Sequence, residues 1–415
     1  MPFRLPRTTG GCAVNPTFIR LRRACVAGAA ATLLIAPLGA TTTARGAATP
    51  SPSADDAFVA LTPAVKAKLD AAIAKTLRET KVPGAVVGLW APGKGSYVKT
   101  FGVADKATGA PMKADLNFRI GSETKTFTVT ALLQLVDQGK IGLDDPIGKY
   151  IDGVPNGDKI TLRELAGMRS GLFNYSEDPG FDKAFLTNPN RPFTPKELLA
   201  YSFKHPVNFA PNATFEYSNT NLILLGQVVE KITGRLLREV INQDVLVPAN
   251  LGGTLFPTGN QFPDPHPQGY TNQSLSGKVV NSTDWDPSWA WAAGAMISNL
   301  HDLRSWAKTV ATGTLLKPAT QAERLKTQPI GIIPGASYGL GIFDVQGWIG
   351  HNGSIPGYET LTVYLPEADA TMVIELNTDV TVGGQEPSTL FGEAVTSIVA
   401  PDHVYPGHKP TDPKG

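Results

Sequence analysis

A serine followed three residues later by a lysine can carry nucleophilic chemistry when both side chains lie on one face of a helix, because the amine can accept the hydroxyl proton. The chain of 415 residues has this spacing at Ser122 and Lys125, directly after Gly121 and at the start of an apolar pattern of helical period. In a first helical turn, unpaired N–H groups and the helix dipole favour a developing negative charge. The alternative for Ser122 is an ordinary N-cap, worth about 1 kcal/mol.

The same spacing occurs at Ser96/Lys99 and at Ser305/Lys308. The first pair lies in an alternating, strand-like pattern, where residues three apart point to opposite faces. The second pair lies inside a helical pattern, where backbone N–H groups are already bonded. Ser122 is therefore the predicted nucleophile.

Two further segments contain groups that can handle protons or bind substrate. Tyr217 and Asn219 lie two residues apart just before a helical pattern, so their side chains are predicted to project the same way. A similar Tyr270-Thr-Asn segment has no helix after it. His351-Asn-Gly follows the strand-like residues 347–350, a setting that none of the other five histidines shares. Taken singly, a tyrosine is more often a packing residue and a histidine more often structural.

Together these groups supply the parts of acyl transfer. A serine hydroxyl is a weak nucleophile until a neighbouring base takes its proton. Lys125 can do so if burial lowers the pKa of its amine, and Tyr217 can do so if nearby cations lower the pKa of its phenol. The residues leave both routes open.

The N-terminal residues 1–57 are predicted to be a signal peptide and a flexible linker. Arg20, Arg22 and Arg23 precede the apolar residues 24–38, and small residues at 39–48 offer cleavage sites. An uncleaved anchor and twin-arginine export are the alternatives to an ordinary secretory signal. We therefore expect a secreted or cell-envelope protein.

Both cysteines, Cys12 and Cys25, lie in that segment, so the mature chain has no disulfide or thiolate. Without the six arginines before Ala48, 31 basic residues face 36 acidic ones, a net charge near −5 that disfavours nucleic-acid binding. No later run reaches the roughly 18 apolar residues of a membrane span. Neither HExxH nor, in the mature chain, CxxC is present, and the sequence predicts no metal and no cofactor. The oligomeric state stays open.

The element pattern predicts an α+β fold with one antiparallel sheet built from both chain ends, flanked by helices and interrupted by a mainly helical region. Residues 58–400 are predicted to form a single domain, with the sheet in about 58–120 and 290–400 and the helical region in about 121–289. Helices are predicted at 62–81, 122–139, 219–233, 302–312 and 388–399, and strands at 84–90, 96–103, 338–345, 359–364 and 371–376. Residues 401–415 are predicted to be a flexible tail. Ser337 matches a GxSxG nucleophile elbow, but a strand rather than a helix follows it.

The chain has three motifs in order: Ser-Glu-Thr-Lys from Ser122, Tyr-Ser-Asn from Tyr217 and His-Asn-Gly from His351. With these motifs it resembles the serine β-lactamase and D-alanyl-D-alanine carboxypeptidase family. Residues 118–128, 160–165, 170–172, 211–226 and 292–298 resemble it too, and the class C branch is the most similar. The resemblance covers roughly residues 60–400 and implies a β-lactamase/transpeptidase-like fold. It also implies that Ser122 attacks and that Lys125 and Tyr217 shuttle protons, with His351 as a further catalytic partner.

The resemblance further implies that Asn219 contacts the substrate amide and that the N–H groups of Ser122 and Ser354 form the oxyanion hole. Asn352 stands where the family usually has a hydroxyl residue that helps to bind a substrate carboxylate, and residues 338–346 offer no arginine. Gly353 is expected to allow close approach, and Trp291, with Trp285 and Trp289, to form an apolar wall.

The expected function is that of a D-Ala-D-Ala carboxypeptidase acting on small peptides or peptidoglycan-like amides. An esterase or amidase for neutral substrates, and a β-lactamase, are the alternatives within the fold, and the weak carboxylate site favours the esterase. A non-catalytic binding protein of the same fold is the alternative outside enzymology.

Overall fold

The computed structural model describes residues 57–406. The predicted signal peptide and linker, apart from residue 57, and the predicted tail from residue 407 onwards lie outside the described residues. Within residues 57–406 the chain forms twelve β-strands: β1 (Gly84–Ala91), β2 (Gly95–Gly102), β3 (Asn117–Arg119), β4 (Tyr270–Thr271), β5 (Val280–Asn281), β6 (Ile297–Asn299), β7 (Gln328–Pro329), β8 (Ala336–Tyr338), β9 (Phe343–Val345), β10 (Trp348–Ile355), β11 (Tyr358–Leu365) and β12 (Ala370–Leu376).

The same residues form eleven α-helices: α1 (Pro63–Thr80), α2 (Thr124–Asp137), α3 (Leu162–Ala166), α4 (Pro179–Thr187), α5 (Pro195–Phe203), α6 (Asn219–Thr233), α7 (Leu237–Val240), α8 (Trp291–Gly294), α9 (Leu300–Thr312), α10 (Pro318–Arg324) and α11 (Pro387–Val399). Side-chain caps fix several helix starts. Thr62 accepts a hydrogen bond from the N–H of Val65 at the start of α1, and Thr194 and Glu197 form a capping box at α5. Gly234 adopts a left-handed conformation and ends α6.

The main sheet joins the two ends of the domain. Its eight strands run in the order β2-β1-β12-β11-β10-β9-β8-β7, and all neighbouring pairs are antiparallel. The early strand β1 pairs with the late strand β12 from Ala85 opposite Leu376 to Trp90 opposite Thr371. The prediction of an antiparallel sheet built from both chain ends is confirmed.

Helices cover both faces of the sheet. The helices α1 and α11 pack against each other and contact β2, β11 and β12, while α9 contacts β10, β11 and β12. Every residue of β11 and β12 is buried, as expected for strands enclosed between helical layers. The helical region packs around α2, in which every residue from Thr124 to Leu133 is buried. None of the helices in residues 57–406 is both long and apolar enough to span a bilayer.

Two predicted elements need correction. The single strand predicted at 338–345 is wrong: β8 ends at Tyr338 and β9 begins at Phe343, with Gly341 at φ +69° in the turn between them.

The predicted tail is wrong for its first residues. Tyr405 is buried, and its N–H donates a 2.8 Å hydrogen bond to Thr396 Oγ1, so the packed chain extends past residue 400.

Candidate active site

The main chain places Ser122 at the start of α2, facing the sheet. Strand β3 pairs with β6, and the chain then makes one 3-10 turn, Gly121–Glu123, before α2 begins. Gly121 has φ +48°, and a β-carbon added to it would lie 2.7 Å from the Ser354 nitrogen. The half-buried Ser122 therefore lies at the mouth of a helix and beside the edge of β10.

Lys125 lies one turn further along, with no exposed surface. Its Nζ lies 2.9 Å from Ser122 Oγ and donates a 2.7 Å hydrogen bond to the carbonyl of Ala293. Burial lowers the pKa of the Lys125 amine well below its usual value, because no carboxylate pairs with the ammonium form. A neutral amine has a free lone pair, so Lys125 can accept the Ser122 proton while donating to Ala293.

Tyr217 closes the site from the segment before α6. Lys125 Nζ lies 4.8 Å from the centroid of the Tyr217 ring, and the phenol interacts with the Ser122 hydroxyl. Burial raises the pKa of the Tyr217 phenol above its usual value. Of the two routes that the sequence leaves open, these pKa directions favour Lys125 as the group that takes the serine proton, with Tyr217 as a neutral donor.

Asn219 is the first residue of α6, but it does not bond to the nucleophile or to Lys125. Its Nδ2 donates to Ser176 Oγ at 3.2 Å, and its backbone N–H donates to Asn174 Oδ1 at 3.1 Å. Its side chain is only partly buried. A contact between Asn219 and a substrate amide stays a prediction.

His351 lies within β10, and not after a strand as the sequence suggested. The ring is 2% exposed, with Nε2 3.2 Å from the Tyr338 hydroxyl and Nδ1 in a hydrogen bond with the Asn352 carbonyl oxygen. Its centroid lies 4.8 Å from that of Phe343 and 6.3 Å from that of Tyr217. Burial, assisted by Lys125, lowers the pKa of the His351 imidazole to about 3. The ring packs beside Tyr217 and forms no hydrogen bond with the Ser122, Lys125 or Tyr217 side chains, and the role of His351 in proton transfer stays a prediction.

The free edge of β10 faces the nucleophile. Strand β9 pairs with β10 only from Trp348 to Gly350, so β9 forms no hydrogen bonds with the rest of this edge, residues 351–355. In the register with β11, Ser354 lies opposite Glu359, one residue from the hairpin pair Ile355 and Tyr358. Since antiparallel pairs alternate between bonded and non-bonded, the Ser354 N–H points away from β11 and towards Ser122.

Gly353 lets the two segments approach. A β-carbon on Gly353 would lie 1.9 Å from the carbonyl oxygen of Ile120, so any larger residue would push β10 away from the nucleophile turn. The N–H groups of Ser122 and Ser354 can then converge on one oxyanion.

The carboxyl group of Glu123, next to Ser122, does not place a negative charge against this oxyanion. Glu123 is buried against Thr360 and Thr362, and burial raises its pKa to about 8. Burial, together with Glu123, also raises the pKa of Glu375 well above its usual value. The Glu123 carboxyl is therefore favoured in the neutral form at pH 7.

Trp291 packs against α6 and is not among the residues that line the cleft beside Ser122, so its contact with substrate stays a prediction. A β-carbon on Gly226, in the middle of α6, would lie 2.8 Å from the Trp291 ring, so the indole packs against that helix. The glycine allows the ring to fill the space between α6 and α8.

The other candidate serines also lie elsewhere. Lys99 pairs with Asp70, Lys308 pairs with Asp369 at 2.6 Å, and Ser337 belongs to β8 with no helix after it. In residues 57–406, no group of three or more His, Cys, Asp or Glu side chains is arranged to hold a metal ion.

A cleft of about 270 Å³ opens beside Ser122. Its lining comes from the turn before α2, the segment before α6, the β7–β8 loop and the start of β8, β9, β10, the start of α11 and the chain after α11. The lining residues are Ser122, Phe215, Tyr217, Ile330, Ile332, Ile333, Ala336, Phe343, Val345, Asn352, Ser354, Glu386, Thr389, Tyr405 and Pro406. Eight of these side chains are apolar, and Glu386 is the acidic one. Asn352 Nδ2 donates a 2.6 Å hydrogen bond to Glu386 Oε2.

Sequence reasoning missed Glu386, Phe215, Phe343, Tyr405 and the isoleucines of the β7–β8 loop. No motif marks them, since an isolated apolar or acidic residue has no characteristic spacing. The resemblance to a family does point to a carboxylate-binding position at Asn352, but the partner of Asn352 emerges only from the packing of α11 against β10.

This fold and this arrangement of serine, lysine and tyrosine define the class of β-lactamase-fold serine hydrolases. A sequence model of the Beta-lactamase family matches residues 69–390, and the chain belongs to that family.

Three relatives illustrate its range. The chain is 34% identical to a D-stereospecific amidohydrolase from Streptomyces sp., with a TM-score of 0.69, covering 76% of this chain and 94% of that one. It is 27% identical to the D-amino acid amidase from Ochrobactrum anthropi SV3, with a TM-score of 0.69, covering 82% and 96%. It is 33% identical to Esterase EstB from Burkholderia gladioli over 197 residues, which are 45% of this chain and 50% of EstB. The matches span about half to two thirds of the length of the curated relatives.

Proposed function

We propose that the protein hydrolyses amides or esters that carry no carboxylate next to the scissile bond, through an acyl-enzyme on Ser122. One observation carries this proposal: eight of the fifteen residues that line the cleft beside Ser122 are apolar, one is a glutamate, and none of the lining residues within 57–406 is a lysine or an arginine. The apolar side chains of such a cleft bind the hydrophobic part of a small substrate, and its polar groups orient the reacting bond.

In the proposed first step, Ser122 Oγ attacks the substrate carbonyl carbon while its proton passes to the neutral amine of Lys125. The carbonyl oxygen becomes an oxyanion that accepts hydrogen bonds from the N–H groups of Ser122 and Ser354. The carbon–nitrogen or carbon–oxygen bond then breaks, and the leaving group receives the proton through Tyr217.

In the second step, water attacks the acyl-enzyme and transfers a proton by the same groups, which releases the acid and restores the Ser122 hydroxyl. General base catalysis of this kind contributes about 10²- to 10⁴-fold to the rate.

The cleft disfavours the substrates of a carboxypeptidase or a β-lactamase. D-Ala-D-Ala peptides and β-lactams carry a carboxylate near the reacting carbonyl, and a cation in the site would strengthen the binding of that carboxylate. Here the amide nitrogen of Asn352 donates to Glu386, and a negative charge on that carboxyl group would repel a substrate carboxylate. The names of the amidohydrolase, the amidase and the esterase agree with an amide or ester substrate.

The test is a comparison of kcat/KM for D-phenylalanine amide, p-nitrophenyl butyrate, a D-Ala-D-Ala peptide and a chromogenic cephalosporin. We expect the first two to be hydrolysed faster, and Ser122→Ala to lower their turnover by about 10⁴-fold or more. The matched control is Ser305→Ala, which alters the exposed serine of the other helical Ser-x-x-Lys pair and should leave the rate unchanged. Faster turnover of the peptide or the cephalosporin would overturn the assignment of substrate class.

We also propose that the protein is exported, on the basis of the basic and apolar pattern of residues 20–38. N-terminal sequencing of the protein recovered from culture medium or envelope should then begin after residue 38. Retention of the full chain in the cytoplasm would contradict export.

A further inference from the structure

We propose that Glu386 binds an ammonium group of the substrate, so that the enzyme prefers amides or esters with a cationic nitrogen a few bonds from the scissile carbonyl. This inference rests on the proposed function, because it assigns the substrate class of the same cleft.

The position of Glu386 is the first observation. It directly precedes α11 and lines the cleft together with Ser122, where it is the one acidic residue among the lining residues of the described chain. Its Oε2 accepts the hydrogen bond from Asn352 Nδ2, whereas Oε1 accepts none from residues 57–406 and is not among their buried, unpaired polar atoms. One carboxylate oxygen is therefore held in place and the other is available.

Glu386 is not occupied by the usual task of a residue at a helix start. Its side chain forms no capping hydrogen bond with α11. Glu359 on β11 takes that role instead, because its Oε2 accepts a 2.8 Å hydrogen bond from the N–H of Ser388. The helix is capped without Glu386, whose carboxylate is left for the cleft.

The surrounding charge favours a cation. Burial and the nearby Asp379 raise the pKa of Glu386, and burial together with Glu386 raises the pKa of Glu359. No salt bridge within residues 57–406 joins any of these three carboxyls to a basic side chain. An ammonium ion beside Glu386 would supply the missing positive charge and favour the ionised carboxylate.

The distance to the reacting carbonyl suits a small substrate. Asn352, which holds Glu386, and Ser354, which supplies an oxyanion-hole N–H, lie two residues apart on β10 with side chains on the same face. Two residues of a strand span about 7 Å. An ammonium group on Glu386 is therefore only a few bonds from a carbonyl held at Ser354.

Matched substrate pairs test the inference. D-phenylalanine amide and its N-acetyl derivative differ by an ammonium on the acyl side, and butyrylcholine and 3,3-dimethylbutyl butyrate differ by a cationic centre on the leaving-group side. We expect the wild type to favour the cationic member of one pair by about 10- to 100-fold in kcat/KM, the range of a charge-assisted hydrogen bond. The pair that shows the preference identifies the side on which the ammonium binds.

Glu386→Gln should remove that preference, lowering kcat/KM for the cationic member at least about tenfold more than for the neutral member. Glu386→Asp keeps the charge and should keep part of the preference, which separates charge from folding effects. Glu393→Gln, at an exposed glutamate on the same helix, is the control and should behave as wild type. Equal losses for both members in Glu386→Gln, or no loss for either, would overturn the inference.

A binding measurement separates this inference from the proposed function. In a Ser122→Ala background, calorimetry with D-phenylalanine amide and butyrylcholine should show that Glu386→Gln weakens the binding of one of them about tenfold or more. Unchanged affinity for both would refute the role of Glu386 even in an active hydrolase. Absence of any hydrolysis by the wild type, with the affinity difference intact, would refute only the proposed reaction.

Discussion

Replacing Lys125 by methionine tests the electrostatics of the site through stability as well as activity. The Lys125 side chain has no exposed surface, and its amine contacts Ser122 Oγ and the carbonyl of Ala293. Methionine has a similar length and carries no titratable group. The change therefore removes the proposed base while largely keeping the packing of α2.

The magnitude follows from proton linkage. Burial lowers the pKa of Lys125 in the native state, whereas a lysine in the unfolded chain titrates near 10.4. Between these two pKa values the native state binds fewer protons than the unfolded state, so wild-type stability rises with pH. The free energy of unfolding of wild type should rise with pH relative to that of Lys125→Met, by at most about 1.4 kcal/mol per pH unit and up to about pH 10.

The assay is urea unfolding of both proteins at pH 7, 8 and 9, together with kcat/KM for p-nitrophenyl butyrate. We expect the stability difference to change by the slope given above and kcat/KM to fall by about 10²- to 10⁴-fold. Lys308→Met, at a 52% exposed amine, is the control and should keep the wild-type slope. Parallel stability curves for wild type and Lys125→Met would refute the neutral amine.

Three further variants test neighbouring parts of the site. Tyr217→Phe should lower kcat/KM by about 10²- to 10⁴-fold while changing the free energy of unfolding by less than about 1 kcal/mol, and a full rate would exclude the phenol from proton transfer. His351→Gln should lose less stability than wild type when the pH falls from 7 to 4. Burial lowers the pKa of His351 to about 3, so over this pH range the native wild type binds fewer protons than its unfolded state and loses stability as the pH falls. Thermal unfolding followed by circular dichroism measures this, and equal losses would contradict it. Gly121→Ala should cost about 1–3 kcal/mol and also lower kcat, because Gly121 has φ +48° and its added β-carbon would lie 2.7 Å from the Ser354 nitrogen. An unchanged melting temperature and kcat would show that the turn tolerates a side chain.

The predictions that held depend on local patterns. Helix α6 runs from Asn219 to Thr233, the predicted range, because its apolar spacing is regular and Gly234 ends it. The first strand extends one residue beyond its predicted range of 84–90, and the second strand, predicted at 96–103, begins and ends one residue earlier. The joining of β1 to β12 also followed, since strands at both ends of a chain with helices between them favour one sheet.

The features that sequence reasoning missed depend on contacts between distant segments. Residues 338–345 have a continuous strand-like composition, and only the turn at Gly341 shows where the strand breaks. The sequence predicts a mostly neutral His351 near pH 7, but the further lowering of its pKa to about 3 comes from burial beside Tyr338 and Phe343. Glu386 enters the site only because α11 packs against the sheet.

The formation of an acyl-enzyme on Ser122 is the central claim, and trapping that intermediate tests it most directly. The purified protein is treated with a fluorophosphonate, or quenched in acid during turnover of p-nitrophenyl butyrate, and then analysed by intact mass and peptide mapping. We predict one added group, located on the peptide that contains Ser122, and none on Ser122→Ala. A modified residue elsewhere, labelling that survives in Ser122→Ala, or no labelling of the wild type would contradict the account, and the last result would favour a non-catalytic binding protein.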